Sequence, residues 1–138
     1  MKLEIVVERT GVPIGVVTAS ADTAEVKLAE PVLATIPEEI EVGWDVPVVA
    51  DRGYDSDPLR DRLEEDGYQL LAPHRRNRTQ ASRNDNRRMR RYRRRYLVER
   101  TNAWLHSYRR VIVRYEWWSY LYHGFVHLAC AFIALARL

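Results

Sequence analysis

The chain has 138 residues, 46% apolar and 30% charged, which excludes a disordered tail or a protein that is membrane-embedded throughout. Its one cysteine, Cys130, excludes a disulfide framework and any multi-cysteine zinc site. The net charge of +3 conceals a divide: residues 1–72 carry 16 acidic and 6 basic side chains, whereas residues 73–138 carry 3 acidic and 16 basic.

In chain order, "LEIVVE" and "IGVVTAS" are β-branched runs on either side of "RTGVP", a turn signal, and predict an antiparallel hairpin. "SADTAEVKLAEPVLATI" places apolar residues at helical spacing, with Asp22 or Thr23 as cap and Pro31 as a kink. "VPVVA" is a short apolar run, expected to be a strand buried on both faces and ending at Asp51. "SDPLRDRLEEDG" predicts a helix capped by Ser56 or Asp57 and closed by Gly67. "YQLLAP" predicts another strand, followed by a basic loop, "HRRNRTQASRNDNRR". An arginine-rich helix is expected from about Arg87 to Val111, then a second, apolar helix packed on the sheet, its aromatics filling much of the core. The order β-β-α-β-α-β-α-α indicates an α/β fold with a mixed sheet in a single domain, 1–138.

Two carboxylates stand out. Asp51 lies where a strand meets a glycine-containing turn, the end of an α/β sheet at which ligands bind; a plain turn or cap carboxylate is the competing reading. Glu99 sits among arginines, with Arg95 at i−4. It is either a surface salt-bridge partner or, at the edge of the buried stripe, a carboxylate that needs a cation or metal.

"VVADRGYDSDPLRDRLEEDGYQLLAPHRRNR" followed by "YRRRYLVERTNAWLHSYRRVIVRYE" resembles the C-terminal part of the DDE transposases of bacterial insertion sequences. That family's pattern of Tyr, two residues, Arg, three residues, Glu, six residues, Lys reads here as Tyr92, Arg95, Glu99 and His106, the last departing from lysine. "GVPIGVVTASADTAEVKLAEPVL" also looks like the stretch that follows the family's first catalytic strand. The resemblance implies an RNase H-like mixed sheet flanked by helices. It implies Asp51 and Glu99 as the second and third carboxylates of a triad that holds two Mg²⁺ or Mn²⁺ ions for phosphoryl transfer on insertion-sequence DNA. Tyr92, Arg95, Arg100, His106, Arg109 and Arg110 are the implied DNA-binding residues.

The family's first Asp lies on a central strand upstream of the hairpin, and no Asp here precedes Asp22. The expectation is therefore an incomplete triad and a sheet lacking its first strand. It extends to a chain without transposition activity alone: a remnant, one frame of a split gene, or a truncated chain. The competing function is a non-catalytic DNA-binding or regulatory protein that pairs with full-length transposase; a homodimer is a further expected arrangement.

Other signals are weaker. His123 and His127 have metal-pair spacing but lack the glutamate of a metalloprotease helix, so they read as polar positions on an apolar helix. Trp117 to Ala136 is 20 residues without a charge, long enough to cross a bilayer, yet its polar-tipped aromatics favour a buried helix and no membrane partner. "MKLEIVVERT" lacks the apolar run of a signal peptide, so the cytoplasm is the expected compartment. Arginine forks onto phosphate bidentately, and 15 of them between residues 75 and 114 point to DNA.

Overall fold

The expected hairpin forms in a computed structural model that describes residues 1–138: β1 (Lys2–Val7) pairs antiparallel with β2 (Pro13–Ala19). Ile5 lies opposite Val16, and both are buried. In the turn, the Glu8 carboxylate accepts the amides of Thr10 at 2.9 Å and Val12 at 3.2 Å.

The helix expected over residues 20–36 is corrected to two pieces. A 3-10 turn, Glu25–Lys27, precedes helix α1 (Ala29–Ala34). Pro31 falls in the first turn of α1, where a missing N–H breaks no helical hydrogen bond, so it starts a helix rather than kinking one. Neither Asp22 nor Thr23 caps: the N-cap is Ala24, without a side-chain bond.

Strand β3 (Val46–Val49) runs parallel to β4 (Tyr68–Leu71), with Val46 opposite Tyr68 and Val49 opposite Leu71. All four β3 residues are only half-buried, which corrects the two-face burial expected of them. β3 has one strand partner, so no second neighbour shields it. The fold is α/β, with one antiparallel and one parallel pair forming separate two-stranded sheets.

Helix α2 (Asp57–Glu65) begins as the sequence predicts. Ser56 accepts from the Leu59 amide, and Pro58 occupies the first turn. Gly67 follows at φ 82°, the left-handed conformation that ends helices, and a side chain there would meet the Trp44 ring.

The single long arginine helix is corrected to three pieces: a 3-10 segment, Arg88–Arg95, then α3 (Tyr96–Leu105) and α4 (Arg109–Ile112). Like charges at i,i+4 oppose an α-helix through the arginine run, and 3-10 geometry stacks Tyr92 on Arg95 at i,i+3. At the end of α3 the Ser107 hydroxyl donates to the Trp104 carbonyl at 2.6 Å, and Tyr108 turns to extended backbone. Helix α5 (Ser119–Leu135) follows. No helix is long and apolar enough to cross a membrane.

Contacts divide the chain into two compact units, described separately: Met1–Thr23, Pro31–Pro37 and Tyr96–Leu138 form one, Ala24–Glu30 and Glu38–Arg95 the other. In the first, Ile5 and Val16 of the hairpin join Leu105, Val111 and an α5 stripe of Tyr122, Val126, Ala129 and Ile133 in one core. Of the C-terminal aromatics only Tyr122 is buried; Trp117 and Trp118, which precede α5, and Tyr120 and Phe132 on it are exposed, correcting the aromatic core expected there. Tyr120 and Phe132 fall off the 3.6-residue stripe that faces the hairpin. In the second unit, Leu59 and Leu63 of α2 are buried, as are Leu70, Leu71 and Ala72, and α2 packs on β4.

Candidate functional site

Asp51 leaves the sheet at the carboxyl end of β3, just after the Ala50 amide makes the last bond to the Leu71 carbonyl, 3.0 Å. Its backbone is extended, and it N-caps a 3-10 turn, Arg52–Tyr54, with Oδ1 accepting the Gly53 amide at 2.8 Å. The cap and the ligand readings are thus compatible. One oxygen caps, and that bond fixes the direction of the other.

Arg75 clamps this turn. Its Nε donates to the Arg52 carbonyl at 3.1 Å, and its guanidinium also donates to the Gly53 carbonyl. The Arg75 amide donates to Asp55 Oδ2 at 2.8 Å. Asp55 is buried and accepts from Arg60 at 2.6 Å and Arg78 at 2.7 Å. Arg60 in turn donates to the Ala72 carbonyl at 3.2 Å and to Asn84 at 3.0 Å. Burial alone would raise the Asp55 pKa; the Arg75 amide and the two guanidiniums outweigh it and hold the carboxyl at about 2. The network ties α2, the end of β4 and the basic loop after it to the Asp51 turn.

Asp51, Arg52, Gly53, Tyr92, Arg95 and Glu25 line an open cleft of about 450 Å³. Arg95 donates to the Tyr92 hydroxyl at 3.0 Å, with its guanidinium 6.0 Å from the ring centre. Three residues singled out in the sequence, Asp51, Tyr92 and Arg95, therefore meet at one place. Glu25 was not anticipated. It reads as a polar position on an expected helix, and only the packing of its 3-10 turn against Arg52–Tyr54 brings it here.

The remaining candidates lie in the other unit. Glu99 is on α3, four residues after Arg95, and is exposed while Leu97, Thr101 and Leu105 are buried. Arg100 donates to the Thr10 carbonyl at 2.7 Å and stacks 4.8 Å from the Trp104 ring centre, holding the hairpin turn. His106 is exposed just past α3. Arg109 donates to the Tyr115 hydroxyl at 3.0 Å, and Arg110 pairs with Glu116 at 2.7 Å, both from exposed positions. His123 and His127 bring their Nε2 atoms within 2.7 Å, and Thr18 bonds His123 Nδ1 at 3.2 Å. No three His, Cys, Asp or Glu side chains gather closely enough to hold a metal ion.

The strand-end carboxylate thus opens on a cleft of mixed charge, with the tyrosine–arginine pair of the 3-10 segment beside it. The family model described as "Transposase DDE domain" matches residues 1–133. The chain belongs to the DDE transposase domain family. It is 31% identical over 137 residues to a Burkholderia cepacia protein assigned as a transposase for insertion sequence element IS402, covering 96% of this chain and 61% of that one. The chain spans about three fifths of the length of that relative. No solved structure matches it.

Proposed function

We infer that the chain is the part of an insertion-sequence transposase that contributes the second and third carboxylates, Asp51 and Glu99, and a basic surface for DNA. The cleft that gathers Asp51, Tyr92 and Arg95 carries this reading. Membership of the DDE family supports it. So does the element order, with an antiparallel hairpin followed by a parallel pair, which suits an RNase H-like sheet.

The donor set fits a hard divalent cation. Carboxylate oxygens suit Mg²⁺ or Mn²⁺, and Asp51 is held by its own cap bond in a cleft with room for the waters that Mg²⁺ retains. When bound, such a cation supplies Lewis acidity at the reacting phosphate and a more acidic nucleophilic hydroxyl or water. The chain's own residues do the rest. Asp51 and Glu99 offer ligand oxygens. Arg95, steadied by Tyr92, offers its guanidinium to a phosphate oxygen. Arg109 and Arg110 on α4 and His106 just past α3 offer further cationic or polar groups to DNA, and the turn clamped by Arg75 keeps Asp51 in place.

The test is a mobility-shift titration on duplex DNA from insertion-sequence ends, with and without Mn²⁺. Wild-type chain should bind more tightly with Mn²⁺, Asp51→Asn should lose that enhancement, and Arg95→Ala should weaken binding in both conditions. Binding indifferent to both substitutions would contradict the assignment.

A regulatory chain that pairs with a full-length transposase is the second reading. β3 and β4 bond only to each other, which leaves an outward strand edge of the kind another chain can join. Capture of full-length transposase by the tagged chain, abolished by Val48→Pro in β3, would favour it.

A further inference from the structure

We propose that the connector between α4 and α5 is a stacking platform for unpaired DNA bases, with the arginines beside it holding the strand's phosphates; this rests on reading the chain as a DNA-binding protein. Four aromatic residues fall within six positions: Tyr115, Trp117, Trp118 and Tyr120. None is buried. Trp117 is 86% exposed, Tyr120 67%, Trp118 59% and Tyr115 52%. Rings of this size normally supply core, but here Tyr122, Val126, Ala129 and Ile133 of α5 already fill it. Trp118 and Tyr120 stack on each other instead, ring centres 6.4 Å apart and planes 28° from parallel. An exposed cluster of this kind marks a surface that binds something.

The connector is fixed in shape. Arg114 donates to the Glu116 carbonyl at 3.0 Å and to the Trp117 carbonyl at 2.8 Å. The buried Tyr122 hydroxyl donates to the Val111 carbonyl at 2.9 Å and ties α5 to α4. Rings on a fixed backbone lose little freedom when a base stacks on them. The charge identifies the occupant. Arg109 and Arg110 lie 5.7 Å and 5.3 Å from the Tyr115 ring centre. The one acid between residues 109 and 120, Glu116, has 6% of its side chain exposed and pairs with Arg110. Exposed side-chain charge in this stretch is therefore cationic. An apolar protein surface has nothing to offer three guanidiniums. A nucleotide strand offers phosphates to them and base faces to the rings. Duplex DNA hides its base faces within its own stack, so the rings favour unpaired nucleotides.

The experiment is fluorescence anisotropy of the full 138-residue chain with a labelled oligothymidylate strand and with a blunt duplex of the same length, with circular dichroism on every variant. Trp117→Ala and Trp118→Ala remove exposed rings, and the Trp118 side chain makes no cap bond to α5, so the fold should be kept. Each should weaken binding of the single strand by about tenfold and leave duplex binding unchanged. Trp117→Phe, which keeps a ring, should recover most of the loss. Arg109→Ala should weaken both, because both carry phosphates. If both alanine variants bind oligothymidylate like wild type, or lose strand and duplex binding equally, the platform is refuted while the DNA reading stands. If the wild-type chain binds neither probe, both are refuted. A wild-type oligomer that Trp117→Ala dissociates, with strand binding intact, would assign the rings to a protein contact and overturn the proposal.

Discussion

Asp55 and Arg60 form a buried ion pair, Oδ1 to Nη1 2.6 Å, with 0% and 4% of their side chains exposed. Removing one member of such a pair strands the other charge, at a cost of about 3–5 kcal/mol. Asp55 also receives Arg78 and the Arg75 amide, so Asp55→Asn should sit within that range and lower the urea midpoint with little change in slope.

The same carboxyl sets an acid limit. Its folded pKa, about 2, lies below the ordinary value near 3.8. A group depressed on folding contributes stability above its unfolded pKa and loses it as pH falls through the folded one. Stability should therefore decline between about pH 4 and pH 2, by on the order of 2 kcal/mol from this group. Asp55→Asn should flatten that part of the pH profile in denaturation measurements.

Thr101 is fully buried on α3, and its hydroxyl donates to the Gly11 carbonyl in the hairpin turn. Thr101→Val keeps the shape and orphans that carbonyl, at a cost of about 1–3 kcal/mol. Arg100 serves the same turn through Thr10, so hydrogen exchange in residues 8–12 should speed up in both Thr101→Val and Arg100→Ala.

The arginines should separate by role in salt titrations. Each phosphate contact contributes about 0.9 to the slope of log affinity against log salt. Arg110→Ala should lower that slope by roughly one contact, a phosphate taking the place of Glu116 on its exposed guanidinium. Arg100→Ala should change it least, because its guanidinium is already engaged at Thr10 and Trp104. Equal slopes for wild type and Arg110→Ala would remove Arg110 from the DNA surface.

Local chemistry made some of this legible in the sequence. Alternating β-branched runs around a glycine turn specified the hairpin, and Ser56, Pro58 and Gly67 marked both ends of α2 because caps are written in single residues. Asp51 was legible as the acid at a strand end. The arginine helix was not, because pattern alone does not show that Arg88 reaches across to Asp45 and Gln69 while Tyr92 and Arg95 pair at 3-10 spacing. Pro31 shows why position decides: the same residue kinks a helix interior and suits the first turn it occupies here. Glu25 and Asp55 carried no local signal. Each matters through contacts with residues 20 or more positions away, Glu25 with the Asp51 turn and Asp55 with Arg75 and Arg78.

The central claim is that Asp51 is a ligand of a divalent cation. Fe²⁺ substituted for Mg²⁺, with ascorbate and peroxide, cuts the backbone beside its ligands, and mass spectrometry of the fragments locates the cuts. The expected result is cleavage near residue 51, suppressed by excess Mg²⁺ and lost in Asp51→Asn. No cut near residue 51, or a cut there that survives Asp51→Asn, would contradict it.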